Sequence, residues 1–85
     1  MINKKELKDK SKSIQPVIRI GKSGLTENAI KEIKKQLKKK KLIKVKFLRS
    51  FISDKNKKQA ANEIAEKTES ILIDSVGFVV VLWKD

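Results

Sequence analysis

The chain has 85 residues and 22 basic against 10 acidic side chains, a formal charge of +12, with no cysteine and no histidine. That length supports one small core. The missing cysteine excludes disulfides and thiolate metal sites, and the missing histidine removes the commonest metal ligand and the usual near-neutral acid–base group. The charge is one-sided: residues 1–58 hold 20 basic and 5 acidic side chains, and residues 59–85 hold 2 and 5. A polyanionic partner facing the first two thirds is the simplest reading, the bland alternative being a solvated lysine-rich surface. The start, Met1-Ile2-Asn3-Lys4-Lys5, lacks the apolar stretch of a secretory signal. No apolar run approaches the ~18 residues of a membrane span, so a cytoplasmic protein with no membrane partner is expected.

In chain order, Asn3 is placed to cap a first helix, with Glu6 at the reciprocal capping-box position. That helix is expected to run to about Ser13, with Leu7, Ser11 and Ile14 on one side and Lys4, Lys5, Lys8 and Lys12 elsewhere. Pro16 drives Gln15 toward an extended backbone and ends it. Val17-Ile18-Arg19-Ile20 then reads as a first strand. Next comes Gly21-Lys22-Ser23-Gly24-Leu25-Thr26-Glu27. Two glycines three apart allow a tight turn with bare N–H groups at the surface. Thr26 suits the N-cap of a following helix, and Glu27 suits its positive end. The free N–H groups of a helix start bind anions, and Lys22 adds a cation. The stretch reads as strand, glycine loop, helix, built to touch a phosphate backbone.

The second helix, residues 27–40, puts Thr26, Ile30, Ile33 and Leu37 on one stripe, with Lys31, Lys35 and Lys38 opposite and Lys34 and Lys41 on a flank. Lys31, Lys34 and Lys35, nearest the loop, are candidate ligand contacts; Lys39 and Lys40 read as a solvated end favoured by the helix dipole. Residues 42–48 alternate, Ile43, Val45 and Phe47 against Lys44 and Lys46, as in a strand with one buried face. Residues 49–53 read as a connector whose Phe51 and Ile52 suit core cover, a stacking platform being the alternative. Ser53 or Asp54 is expected to cap a third helix with Ala60, Ala61, Ile64, Ala65 and Thr68 inward. Residues 70–74 and 78–83 read as two strands joined by Asp74-Ser75-Val76-Gly77 as a hairpin turn. The last of them is apolar on both faces, which suits a central or well-covered strand. The order α-β-α-β-α-β-β predicts an α/β fold, a two-layer sandwich with a four-stranded mixed sheet, in a single domain of residues 1–85.

Gln15-Pro16-Val17, the loop from Gly21 to Glu27, Leu42-Ile43-Lys44-Val45-Lys46, and Gly77 with Val79-Val80-Val81-Leu82-Trp83 together resemble the YhbY-like family of small RNA-binding proteins. This family is also called the CRM domain (chloroplast RNA splicing and ribosome maturation). The resemblance covers nearly the whole chain. It implies a fold similar to the C-terminal domain of bacterial translation initiation factor three. It also implies RNA binding through the GxxG loop, as in KH domains, and association with ribosome precursors or intron RNA. By position it sets Gly21, Lys22, Ser23 and Gly24 at the RNA, followed by Lys31, Lys34 and Lys35. Thr26 at the helix start, and Arg19, Lys44 and Lys46 on the strand face away from the core, complete the candidate RNA contacts. Members often end the last strand with tyrosine and a basic residue, where this chain has Trp83-Lys84-Asp85.

A GxxG loop suits RNA because the side chains between the glycines can be small or basic while the backbone lies close to the phosphodiester chain. Aromatics are scarce, three Phe and one Trp without Tyr, and Phe47, Phe78 and Trp83 fall in predicted strands. Recognition of structured RNA by shape and backbone is therefore expected. The rival reading is a double-stranded DNA-binding, chromatin-like protein, since small archaeal proteins such as the Alba class have a similar element order. The GxxG loop followed by Leu25-Thr26 belongs to the RNA family. An enzyme is not expected: Glu63, Glu66 and Glu69 read as a solvated helix face, and neither the usual triads nor zinc sites can be assembled. No cofactor, metal or small-molecule substrate is expected. Membrane-surface binding by the basic helix is disfavoured, because Ile30, Ile33 and Leu37 form a narrow stripe suited to a sheet.

Overall fold

A computed structural model describes residues 3–52 and 56–85 of the chain. Asn3 caps α1 (Lys4–Ser11), its side chain accepting the Glu6 amide at 3.1 Å. The hydroxyls of Ser11 and Ser13 donate to the carbonyls of Lys8 and Lys10 and close the helix slightly before the expected end. β1 (Pro16–Ile20) and β2 (Leu42–Phe47) pair in parallel, which demands a crossover of a dozen or more residues. The 14-residue α2 (Glu27–Lys40) is that crossover. β4 (Val79–Trp83) pairs antiparallel with both β2 and β3 (Ile71–Val76), giving the order β1-β2-β4-β3. The expected α/β fold with a four-stranded mixed sheet forms, and β4, apolar on both faces, is an interior strand.

On one face lie α2 and α4 (Lys57–Lys67). Ile33 and Leu37 of α2 and Ala60, Ala61 and Ile64 of α4 meet Ile20, Ile43, Val45, Phe47, Val80 and Leu82 of the sheet. The alanines let α4 pack close to the strands. Ile30 sits half-buried at the margin, and Thr68 is buried as the C-cap of α4, its hydroxyl donating to the Ile64 carbonyl at 2.7 Å. On the opposite face α1 lays Leu7 against Ile73 and Val81, with Leu42 and Trp83 alongside. The sandwich of sheet and helices thus carries a partial cover on its second face.

The structure departs from expectation in three places. Residues 49–53 are not a plain connector, because α3 (Arg49–Ile52) makes one helical turn. The amides of Phe51 and Ile52 both return to the Leu48 carbonyl, at 3.0 and 3.2 Å, and the order becomes α-β-α-β-α-α-β-β. That turn aims Phe51 and Ile52 inward, 7% and 5% exposed, so they cover the core. Second, α4 is capped by Asn56, whose Oδ1 accepts the amides of Lys58 and Gln59 at 2.9 and 3.3 Å; Ser53 and Asp54 lie outside the described residues. Third, the hairpin turn is Gly77-Phe78. Pairing of Val76 with Val79 carries β3 on through Asp74, Ser75 and Val76. Gly77, at φ +59°, supplies the positive dihedral that a two-residue hairpin loop needs.

The two apolar clusters predict different losses. Ile33→Ala empties a fully buried site between α2 and the sheet and should cost about 2–5 kcal/mol in denaturant unfolding. Leu7→Ala should cost about 2 kcal/mol or less, and should first release α1, seen as faster amide exchange over residues 4–11. Equal losses with unchanged exchange in α1 would contradict this division.

Candidate nucleic-acid interface

The ladder between β1 and β2 runs one residue past β2, the Leu48 amide donating to the Ile20 carbonyl at 2.8 Å. There the chain reverses. The Gly24 amide donates to the Gly21 carbonyl at 2.9 Å, which puts Lys22 and Ser23 at the two central positions of a β-turn. Gly24 stands at φ +70°, where a side chain is strained, and it lies against Phe51: a β-carbon there would be 3.6 Å from Cε1 of the ring. A β-carbon on Gly21 would meet Leu48 Cδ1 at 3.3 Å and Ser50 Oγ at 3.6 Å. Both glycines therefore rest on the elbow formed by Leu48 and α3. The Phe51 ring in turn packs on Phe47, centroids 5.1 Å apart, so the floor of the loop is continuous with the core.

Lys22 and Ser23 are exposed at the tip. Thr26 Oγ1 accepts the Ala29 amide at 3.1 Å and starts α2. The first helical N–H groups, of Glu27 and Asn28, have no acceptor within the helix and form its positive end. Lys31 and Lys35, one and two turns along, are exposed. Lys34 is half-buried, its Nζ 3.1 Å from Glu69 Oε1. The hydrogen bond and charge of Lys34, with a smaller effect of Lys84, hold the Glu69 carboxyl below its ordinary range. Glu69 itself stands at φ +55°, just past the end of α4.

Arg19 and Lys46 are register partners and exposed. Their neighbours Ile20, Val45 and Phe47 enter the core under α2, so by strand alternation both cations stand on the opposite face. Lys44 shares that face but is half-buried, beside Val81 in register and toward the part covered by α1. The candidate contacts thus occupy two surfaces, the loop with the outer side of α2 and the open part of the far sheet face. The two meet at the end of β1.

Reading residues 49–53 as a connector leaves out Arg49, which is exposed and lies between Leu48 and Ser50, the two residues under Gly21. The Phe47 amide donates to the Phe78 carbonyl at 2.6 Å, bringing the hairpin turn to the same elbow. Lys57 Nζ sits 4.3 Å above the Phe78 ring. One end of the sheet therefore gathers the glycine loop, α3, the hairpin turn and the start of α4. Among the described residues there is no group of three or more carboxylates able to hold a metal ion, and no helix is long and apolar enough to cross a membrane. This end offers backbone N–H groups, hydroxyls and cations, a set suited to binding anions.

Residues 2–84 match the model of the CRS1 / YhbY (CRM) domain. The chain is 33% identical over 82 residues to "Probable RNA-binding protein YqeI" of Bacillus subtilis, covering 96% of this chain and 83% of that protein. It is also 33% identical over 81 residues to "Probable RNA-binding protein MJ0652" of Methanocaldococcus jannaschii, covering 95% of this chain and 60% of that longer protein. The solution structure of SAV1595 of Staphylococcus aureus, a candidate RNA-binding protein, superposes on all of this chain and 90% of its own, with a TM-score of 0.80 and 34% identity. Matched along nearly its whole length in sequence and in fold, the chain belongs to the CRS1 / YhbY (CRM) domain family.

Proposed function

We propose that this chain is a single RNA-binding domain, residues 1–85, that contacts structured RNA through the loop of residues 21–24 and the basic outer side of α2. The RNA is that of ribosome precursors, and the role is in cytoplasmic ribosome assembly. The observation that carries the reading is the anchored loop: Gly21 and Gly24 rest on Leu48 and Phe51 while Lys22 and Ser23 face solvent. A loop seated in this way presents its amides at a reduced backbone ordering cost on binding. The start of α2 adds about 0.3–1 kcal/mol for each phosphate held near it. Lys31 and Lys35 extend the positive field along the helix. The names of the relatives support RNA over other polyanions. A binding module, not an enzyme, fits a chain with no histidine or cysteine and a site whose described groups recognise anions.

Replacing Lys22 and Ser23 together by aspartate tests the loop. The fold should persist, because both side chains are exposed and acids sit favourably near a helix start. Circular dichroism and Tm should stay near the parent values, while affinity for an RNA stem-loop falls at least about tenfold, or ~1.4 kcal/mol. Parent affinity in the folded variant would move the site elsewhere, with Arg19, Lys44 and Lys46 next to be tested. A duplex DNA of matched sequence in the same assay distinguishes the chromatin-like alternative, which requires DNA to bind as well as RNA.

The helix lysines should separate by their partners. Lys31→Ala with Lys35→Ala should weaken RNA binding several-fold while leaving stability within about 0.5 kcal/mol per site. Lys34→Ala should cost less affinity, since its ammonium already faces Glu69. A binding isotherm for each variant decides, and a larger loss at Lys34 would contradict this ranking.

A further inference from the structure

We propose that the RNA-contacting surface continues from the glycine loop across α3 to the groove between α4 and the hairpin, with Arg49, Lys57 and Lys58 as a second group of phosphate contacts. This rests on the loop being an RNA contact. The contacts between these parts are continuous. Gly21 lies on Leu48 and Ser50, Arg49 stands between those two, Phe47 bonds to Phe78, and Phe78 carries Lys57. β1, β2 and β4 are successive neighbours in the sheet. At ~4.8 Å per strand, the loop after β1 and the turn before β4 are roughly 10 Å apart. A backbone lying on Lys22 reaches Lys57 within one short stretch.

Among the described residues, charge pairing leaves the cations of this end unopposed, as it does those of the C-terminal end of α2. The ion pairs among the described residues join Lys10 to Glu6, Lys12 to Asp9, Lys34 to Glu69 and Lys67 to Glu63. They lie on α1, in the middle of α2 and toward the C-terminus of α4. Arg49, Lys57 and Lys58 are exposed and have no carboxylate partner among the described residues. The Phe78 ring positions the Lys57 ammonium without neutralising it. Beside these lysines, Asn62 and Ser75 line a groove between α4 and the hairpin. An amide and a hydroxyl there suit a ribose 2′-hydroxyl, the group that separates RNA from DNA.

The test compares two variants of equal charge loss on a fluorescently labelled RNA stem-loop. One carries Arg49→Ala, Lys57→Ala and Lys58→Ala. The other carries Lys38→Ala, Lys39→Ala and Lys40→Ala at the far end of α2, roughly 16–20 Å along the helix from the loop. The first should lose at least about tenfold in affinity, and its log–log salt slope should fall by about 2–3, at ~0.7–0.9 per contact. The second should lose less than about twofold, since Debye screening at ~8–10 Å mutes cations that touch no phosphate. Should the first variant unfold, Arg49→Gln, Lys57→Gln and Lys58→Gln keep most of each stem and remove the charge. Equal losses in both variants, or none in the first, would overturn the extended surface. The Lys22→Asp, Ser23→Asp protein, run alongside, distinguishes the two levels. Its failure to lose affinity would overturn the loop reading, whereas a loss there with none at Arg49, Lys57 and Lys58 would overturn the extension alone.

Discussion

The contact of Gly21 and Gly24 with Leu48, Ser50 and Phe51 is the constraint on which this surface depends. It fixes where β1 ends and where α2 begins, and through Phe51 and Phe47 it ties an exposed loop to the buried sheet. Side chains at the two glycines would work against this in different ways. At Gly24 the dihedral of +70° is the obstacle, and at Gly21 a β-carbon would press on the Leu48 methyl at 3.3 Å, which must give way by a few tenths of an ångström. The loop is packed on an extension of the core, with Lys22 and Ser23 at its exposed tip.

Electrostatics follows the same axis. Lys10 and Lys12 at α1, Lys34 in α2 and Lys67 in α4 have carboxylate neighbours. Exposed pairs of this kind contribute little to stability, but they lower the local positive field. At the loop end, Lys22, Arg49, Lys57 and Lys58 lack such neighbours among the described residues. The cations beside the anchored loop therefore keep their full field, which favours the approach of a polyanion at that end.

What the linear reading reaches is what short-range physics controls. Thr26 and Asn3 cap helices through bonds spanning three residues. The stripe of Ile33 and Leu37 and the alternation of Ile43, Val45 and Phe47 are periodic signals within single elements. The order of the elements points to a mixed sheet, and the family resemblance implies the kind of fold, but neither states the order of its strands. The misses are non-local. α3 is four residues long, too short for periodicity, and exists because Leu48 is held by Ile20 across the sheet. The hairpin turn shifts from residues 74–77 to Gly77-Phe78 because Val76 pairs with Val79, which the turn-like composition of Asp74 and Ser75 conceals. Lys34 meets Glu69 across 35 positions of sequence, so its engagement is invisible in a helical projection. Arg49 and Lys57 join the loop only once the order β1-β2-β4-β3 is known.

The most direct test of an anchored loop as the contact is a titration of the isotopically labelled protein with an RNA stem-loop, followed by backbone amide chemical shifts. The largest changes should fall on Lys22, Ser23, Gly24 and Leu25 and on the first turn of α2, with Leu48 and Phe51 moving less. Amides of residues 38–41 and of α1 should move little. Shifts centred on α1 or on the far end of α2, with the glycine loop unperturbed at saturation, would contradict the account.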